Sequence, residues 1–377
     1  MTQKVEGISQ SKIQKQVEVH EAKVEIEQIR FEDVFHGLMA FSPDGKSFLV
    51  IHGKSLSIMD TQTLLERVRY DYTQALSETA FFTPDSRSVF IRPPGHQAKI
   101  ELRSAIEESP PIYLNLLRYT ITPESFSPDG KSLITYYYQK SLGGALLIDL
   151  PSLQEKMSFP FQGPKSKVQT SDFQPESASF SADGKWVLVT EQRGPATVWD
   201  VESGKIISKL TGHPIGNPRF IDHNRKLLSV EKQSFSIWDL KSQSKIMTET
   251  FENGVIGESG VNRDESLFFL HVNQQIEIRR TNDASIVQTM ACPTEDRGFE
   301  LAEFSPNGRY LVVKTRSSSI QILDVQTGKL AGWIPSPSGF ASGKTFAISP
   351  DGKTLLVSKN GTILQFWNVE RDLGLEF

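Results

Sequence analysis

The stretch FSPDGKSFLVIHGKSLSIMD, Phe41–Asp60, decides the fold. It opens on Ser-Pro-Asp-Gly, where proline fixes one backbone angle, aspartate bonds back to the chain, and glycine takes the left-handed position that starts the next strand. A short apolar run follows, then another turn, then SLSIMD, whose apolar and polar residues alternate as in a half-buried strand. This is the chemistry of consecutive hairpins.

The unit recurs along the whole chain. After Phe41, FTPDSR begins at Phe82, FSPDGK at Phe126, FSADGK at Phe180, FIDHNR at Phe220, VNRDES at Val261, FSPNGR at Phe304 and ISPDGK at Ile348. Successive starts lie 41, 44, 54, 40, 41, 43 and 44 residues apart. Each unit carries an alternating strand, from KIELRS and ALLIDL to FSIWDL and LQFWNV. Several lead through a turn such as VESGK or VQTGK into a fourth strand such as KIISKL. Four short strands in each unit of about 40 to 45 residues make the blade pattern of a β-propeller. The expected fold is therefore all-β, a single propeller of eight four-stranded blades.

The sequence resembles the WD-repeat family. The resemblance rests on Trp199-Asp200 and Trp238-Asp239, on the near forms Met59-Asp60, Ile148-Asp149, Leu323-Asp324 and Trp367-Asn368, and on Gly212-His213 ahead of the fifth turn. It covers roughly Val24 to Val369. It implies a propeller that binds partner proteins, some of whose blades carry a buried His, Ser or Thr, Asp and Trp network. Only the blade of His213, Ser229 and Trp238 approaches that network, so the other blades must rely on apolar packing. Repeats two and six hold Arg103 and Arg279 at the Trp position and have lost the turn glycine, which leaves seven blades as the alternative.

A propeller must join its ends, because an unpaired last blade exposes strand edges and an apolar face. The chain stops at ERDLGLEF, too soon after Trp367 for a full fourth strand. The fourth strand KIISKL starts 15 residues before Phe220, and counting the same distance back from Phe41 reaches Ile26 in VEIEQIR. This N-terminal strand is expected to complete the eighth blade. The domain then spans 24–377, with residues 1–23 as a polar tail.

Composition narrows the function. The 41 basic and 45 acidic residues give a net charge of −4, which offers no broad attraction for nucleic acid or anionic membrane. No stretch approaches the roughly 18 apolar residues of a membrane span, and the N-terminus has no signal-like apolar core. A single cysteine, Cys292, allows no intramolecular disulfide, so a reducing, cytoplasmic setting is expected. The sequon at Asn360-Gly361-Thr362 reads better as a tight hairpin turn.

No catalytic, cofactor or metal site is expected. GFASGKTFAISPDGK, Gly339–Lys353, resembles a phosphate-binding loop, yet Ser338 replaces the first glycine, and a blade strand rather than a helix follows Lys344-Thr345. The seven histidines are scattered, with no pair at helical metal-site spacing. The run Tyr136-Tyr137-Tyr138 is read as blade packing.

The irregular segments gather between strands two and three and between consecutive blades, which share one face of a propeller. The largest are PFQGPKSKVQTSDFQPES, ACPTEDRG and GWIPSPSGFASGK. Exposed aromatic and arginine side chains are favoured interface anchors, so Arg193, His213, Arg297, Trp333, Phe340 and Lys344 are the expected partner-binding residues. The reading is a non-catalytic scaffold and complex subunit that binds proteins. Its alternative is a propeller enzyme or small-ligand sensor with a site at the central channel. A nucleic-acid binder is disfavoured, since only Lys165, Lys167, Arg193 and Lys344 point to basic loops.

Overall fold

The structure is a computed structural model. It describes residues 26–31, 35–76, 80–92, 100–114, 122–139, 142–150, 152–160, 175–191, 195–210, 218–291, 298–316, 319–335, 345–359 and 361–377. Its strands form eight antiparallel sheets, one per repeat, and seven of them have four strands. The first blade runs Phe35–Phe41, Ser47–His52, Ser55–Asp60 and Glu66–Asp71 from the inside outward. The eight-bladed expectation holds.

The turn is the reason the weaker repeats still form blades. In all eight units the fifth residue has positive φ, from +58° at Glu265 to +73° at Gly352. Repeats two, five and six place Ser86, Asn224 and Glu265 there, accepting the strain that glycine avoids. The second residue closes the turn: the Ser42 hydroxyl donates to Asp44 at 2.6 Å and accepts the N–H of Ser47. The same pairing joins Thr83 to Asp85, Ser127 to Asp129, Ser181 to Asp183, Ser305 to Asn307 and Ser349 to Asp351. Those aspartates recur for the turn.

Eight hydrophobic clusters lie between the blades, each drawn from two neighbours. Leu49, Ile58 and Val68 of the first blade pack with Phe82 and Val89 of the second. The series ends where Leu356, Leu364 and Phe366 of the eighth blade meet Met39, Phe48 and Val50 of the first. A ring closed in this way has no free apolar face.

Closure uses both ends of the chain. Glu27–Arg30 pairs antiparallel with Ile363–Asn368, Ile29 opposite Leu364, and becomes the outer strand of the eighth blade. Ile26 packs into the core between blades seven and eight, whereas Ile29 packs into that between eight and one. Asn368, capping the N–H of Arg371, then starts a short helix, Val369–Leu373, instead of a fourth strand. Leu373 at its end and Phe377 beyond it are buried, the Phe377 ring 5.6 Å from that of Tyr310.

The third blade departs from expectation with three strands, Ser132–Gln139, Leu142–Asp149 and Gln154–Pro160. A 3-10 turn, Pro123–Ser125, replaces the described part of its inner strand, leaving one bridge from Phe126 to Leu133. Pro123 has no N–H for a ladder. The tyrosine run lies on the first of these strands, with Tyr137 opposite Gly144 and Tyr138 opposite Gly143.

Repeats two and six replace tryptophan by the same device. The sequences IELR, Ile100–Arg103, and IEIR, Ile276–Arg279, put a glutamate two residues before the arginine on one strand face. Each arginine Nε donates to that glutamate at 2.9 Å. Each guanidinium also stacks on an aromatic ring of the preceding blade, Arg103 over Tyr70 at 4.7 Å and Arg279 over Phe235 at 5.1 Å. Arg279 makes two further bonds to Glu249 of that blade, at 2.7 and 2.8 Å. Tyr72 reaches Glu101 likewise, at 3.1 Å. These arginines bolt adjacent blades together.

Two stability outcomes follow from these positions. Arg279→Met leaves Glu249 and Glu277 facing each other without their cation, and equilibrium urea unfolding should show a loss of about 2–4 kcal/mol. In the fifth turn Asp222, His223 and Asn224 all have positive φ, and His223 is exposed. His223→Gly should therefore gain about 0.5–1 kcal/mol in the same assay.

Candidate protein-interaction face

Antiparallel alternation sends the links between second and third strands, and those between blades, to one face of the ring. Five of the six sequence-selected residues belong to such links. Position 193 falls between Trp186–Glu191 and Ala196–Asp200, 213 between Ile206–Leu210 and Arg219–Ile221, and 297 between Ile286–Ala291 and Phe299–Phe304. Positions 340 and 344 fall between Leu330–Ile334 and Phe346–Ile348. Arg193, His213, Arg297, Phe340 and Lys344 lie outside the described residues. Trp333 is described, half-buried, and sits in the outer strand of blade seven opposite Gln321 rather than in a loop. Pairing with Ile320–Asp324 carries the strand past the point where the sequence suggested irregular chain.

Where the second strands reach this face, their ends hold buried polar groups. Glu191 is 5% exposed and its Oε2 has no hydrogen-bond partner among the described residues. Burial pushes its carboxyl above the ordinary 4.5, with Lys209 opposing. His271 is likewise buried against Phe299, its Nε2 without a hydrogen-bond partner among the described residues, and burial lowers its pKa. Lys314, 3% exposed, pairs with Glu300 at 3.1 Å.

His52 Nε2 lies 2.8 Å from Ser57 Oγ, but Ser57 is fully buried and donates to Glu66. Trp238 Nε1 has no hydrogen-bond partner among the described residues, and His213, the histidine read with Ser229 and Trp238, lies outside them. Among those residues no three His, Cys, Asp or Glu side chains converge as a metal site, and no helix is long and apolar enough to cross a membrane. Thr345 leads directly into the strand Phe346–Ile348, so the Gly-Ser-Lys segment has no helix behind it.

The recess that the sequence did not reveal lies elsewhere, at the junction of blades one and two. Arg69, Tyr70, Asp71, Arg103, Glu108, Ser109 and Pro110 line about 320 Å³. Its signal was the long link SAIEESPP, Ser104–Pro111, where the other described links of this kind hold four or five residues.

Glu191 provides a pH test. A carboxyl with a raised folded pKa binds its proton more tightly in the fold, so its cost to stability is absent below 4.5 and appears as pH rises through the folded value. Glu191→Gln should be more stable than the parent by about 1 kcal/mol at pH 7, the gap closing near pH 4 in paired urea titrations.

Known proteins can be set beside this geometry. The family model described as the anaphase-promoting complex subunit 4 WD40 domain matches residues 267–342, which lie in blades six and seven. The protein tipD of Dictyostelium discoideum is 23% identical over 189 residues, 47% of this chain and 30% of that protein. The probable U3 small nucleolar RNA-associated protein 18 of Schizosaccharomyces pombe is 25% identical over 201 residues, 49% of this chain and 38% of that protein. The chain thus spans about a third of the length of the curated relatives it matches. The crystal structure of the C-terminal WD40 domain of Sif2 superposes with a TM-score of 0.64 at 12% identity, covering 90% of this chain and 97% of that one. Ring topology and the structural match agree on the fold: the described residues form a β-propeller of eight blades, and the WD40 family model matches part of two of them.

Proposed function

We propose that the chain is a non-catalytic scaffold that binds partner proteins through the face carrying its inter-blade links. The observation behind this reading is the closed ring of eight inter-blade cores, which fixes the ends of every link on that face. A surface held by rigid blades binds without first being ordered, and the favourable contacts go into affinity. Arg193, His213, Arg297, Trp333, Phe340 and Lys344 are the proposed contact residues, and the cytoplasm is the proposed setting. The matching family model is described by a complex subunit and one relative is named an RNA-associated protein, and a subunit role here is in keeping with that.

The test is affinity capture from native lysate with the intact chain and with a variant carrying Arg193→Ala, Trp333→Ala and Phe340→Ala, after both show the same thermal melt. Stoichiometric protein partners retained by the parent and lost by the variant are the expected result. Capture of no protein by the intact chain would overturn the reading.

A further inference from the structure

Seven described Ser or Thr residues precede a proline: Ser42, Thr83, Ser109, Thr122, Ser127, Ser305 and Ser349. Five of them are the buried second residues of blade turns, their hydroxyls held between an Asp or Asn and a backbone N–H. Thr122 faces Ser125 at the start of the 3-10 turn. Ser109 is different. Its Oγ accepts the N–H of Ser104 at 3.1 Å, and it lines the open recess between blades one and two.

The loop around Ser109 is pinned as well as accessible. Tyr70 Oη of blade one donates to the carbonyls of Ser104 and Glu107 at 2.9 and 3.2 Å, and Arg103 Nη1 donates to that of Ser109 at 2.9 Å. Ile106, Glu107, Glu108 and Pro110 are exposed along it. Pro110 and Pro111 hold the chain after Ser109 extended. Two arginines, Arg69 and Arg103, line the same recess as Ser109.

From this geometry we infer that Ser109 is the acceptor of a proline-directed protein kinase, and that Arg69 and Arg103 hold the phosphate it receives. Ser109 Oγ attacks the γ-phosphorus of ATP; the new O–P bond forms as the bond to the β-phosphate oxygen breaks, the hydroxyl proton passes to the kinase's base, and ADP leaves. The product carries nearly two negative charges and three acceptor oxygens. Arg69 now bonds Asp71 and Ser55, and Arg103 bonds Glu101. A phosphate dianion competes for these donors because guanidinium binds it bidentately. Arg69, with the more exposed side chain, 44% against 17%, moves more readily. Asp71 and Glu108 on the rim oppose the added charge, so the pairing depends on both arginines. The modification ties the outer strand of blade one to the loop of blade two, whether or not the chain is a scaffold.

The test uses the full folded chain carrying Ser336→Ala, which removes the Ser-Pro pair outside the described residues, with a mitogen-activated protein kinase and Mg·ATP. Mapping by mass spectrometry should find phosphate on Ser109, and Ser109→Ala, with an unchanged thermal melt, should lose it. In ³¹P NMR the second phosphate pKa, ordinarily about 6, should fall by about half a unit and return in Arg69→Gln. No phosphate on Ser109 of the folded chain, or its appearance on Thr122 instead, would overturn the acceptor assignment. Identical titrations with and without Arg69 would overturn the cradle.

Discussion

The structure depends on one four-residue pairing, Glu27–Arg30 against Ile363–Asn368. Each blade buries its two faces against neighbours, so an open ring would leave two apolar faces and the last sheet short of its outer strand. Drawing that strand from the N-terminal end makes closure a contact between residues far apart in sequence. Ile26 and Ile29 make it more than a ladder, because alternation sends one into each of the cores flanking the eighth blade. The C-terminal segment, released from forming a strand, fills the seam from the other side with Leu373 and Phe377.

Within the ring, blades tolerate the loss of their signature residues because the physical requirement is broader than the signature. The turn needs a residue at positive φ, which glycine adopts most cheaply and Ser86, Asn224 or Glu265 adopts with strain. The third strand needs a group that fills the seam with the preceding blade. Trp199 does so as a ring against Phe159 of the third blade. Arg279 does so as a planar cation neutralised by two carboxylates. A buried cation is tolerable only with its partners in place, so the glutamate two residues ahead belongs to the substitution.

This explains what could be read from the sequence. Eight turns, their spacing and the closing strand were legible because each follows from local chemistry with a fixed period. The 3-10 turn in place of the described part of the third blade's inner strand was not, although Pro123 stood in it, because a proline at a strand start is also ordinary. The arginine bolts were visible only as absent tryptophans; the shared IELR and IEIR, read as a pair, carried the missing signal. Interface residues have no such period. Trp333, chosen as a loop anchor, proved to be a strand residue, since periodicity of two cannot be seen in a stretch that runs straight into Pro335 and the links beyond.

The two bolts also show why a recess opens at one seam and not at the other. Arg103 and Arg279 share the paired glutamate, the stacked ring and a bond to a carbonyl of the link that follows. In blade six that link is a tight turn, Arg280 N–H to Ser285 carbonyl and Ala284 N–H to Arg280 carbonyl, which covers the guanidinium until 3% of the side chain is exposed. In blade two the longer link, Ser104 to Pro111, is held by Tyr70 at Ser104 and Glu107, yet it leaves 17% of the Arg103 side chain exposed in the recess that Arg69 also lines. Lengthening one link thus turns a structural cation into an accessible one while its bolt stays intact. The repeat holds the ring together, and the place where it is interrupted is where added chemistry finds both a rigid support and room.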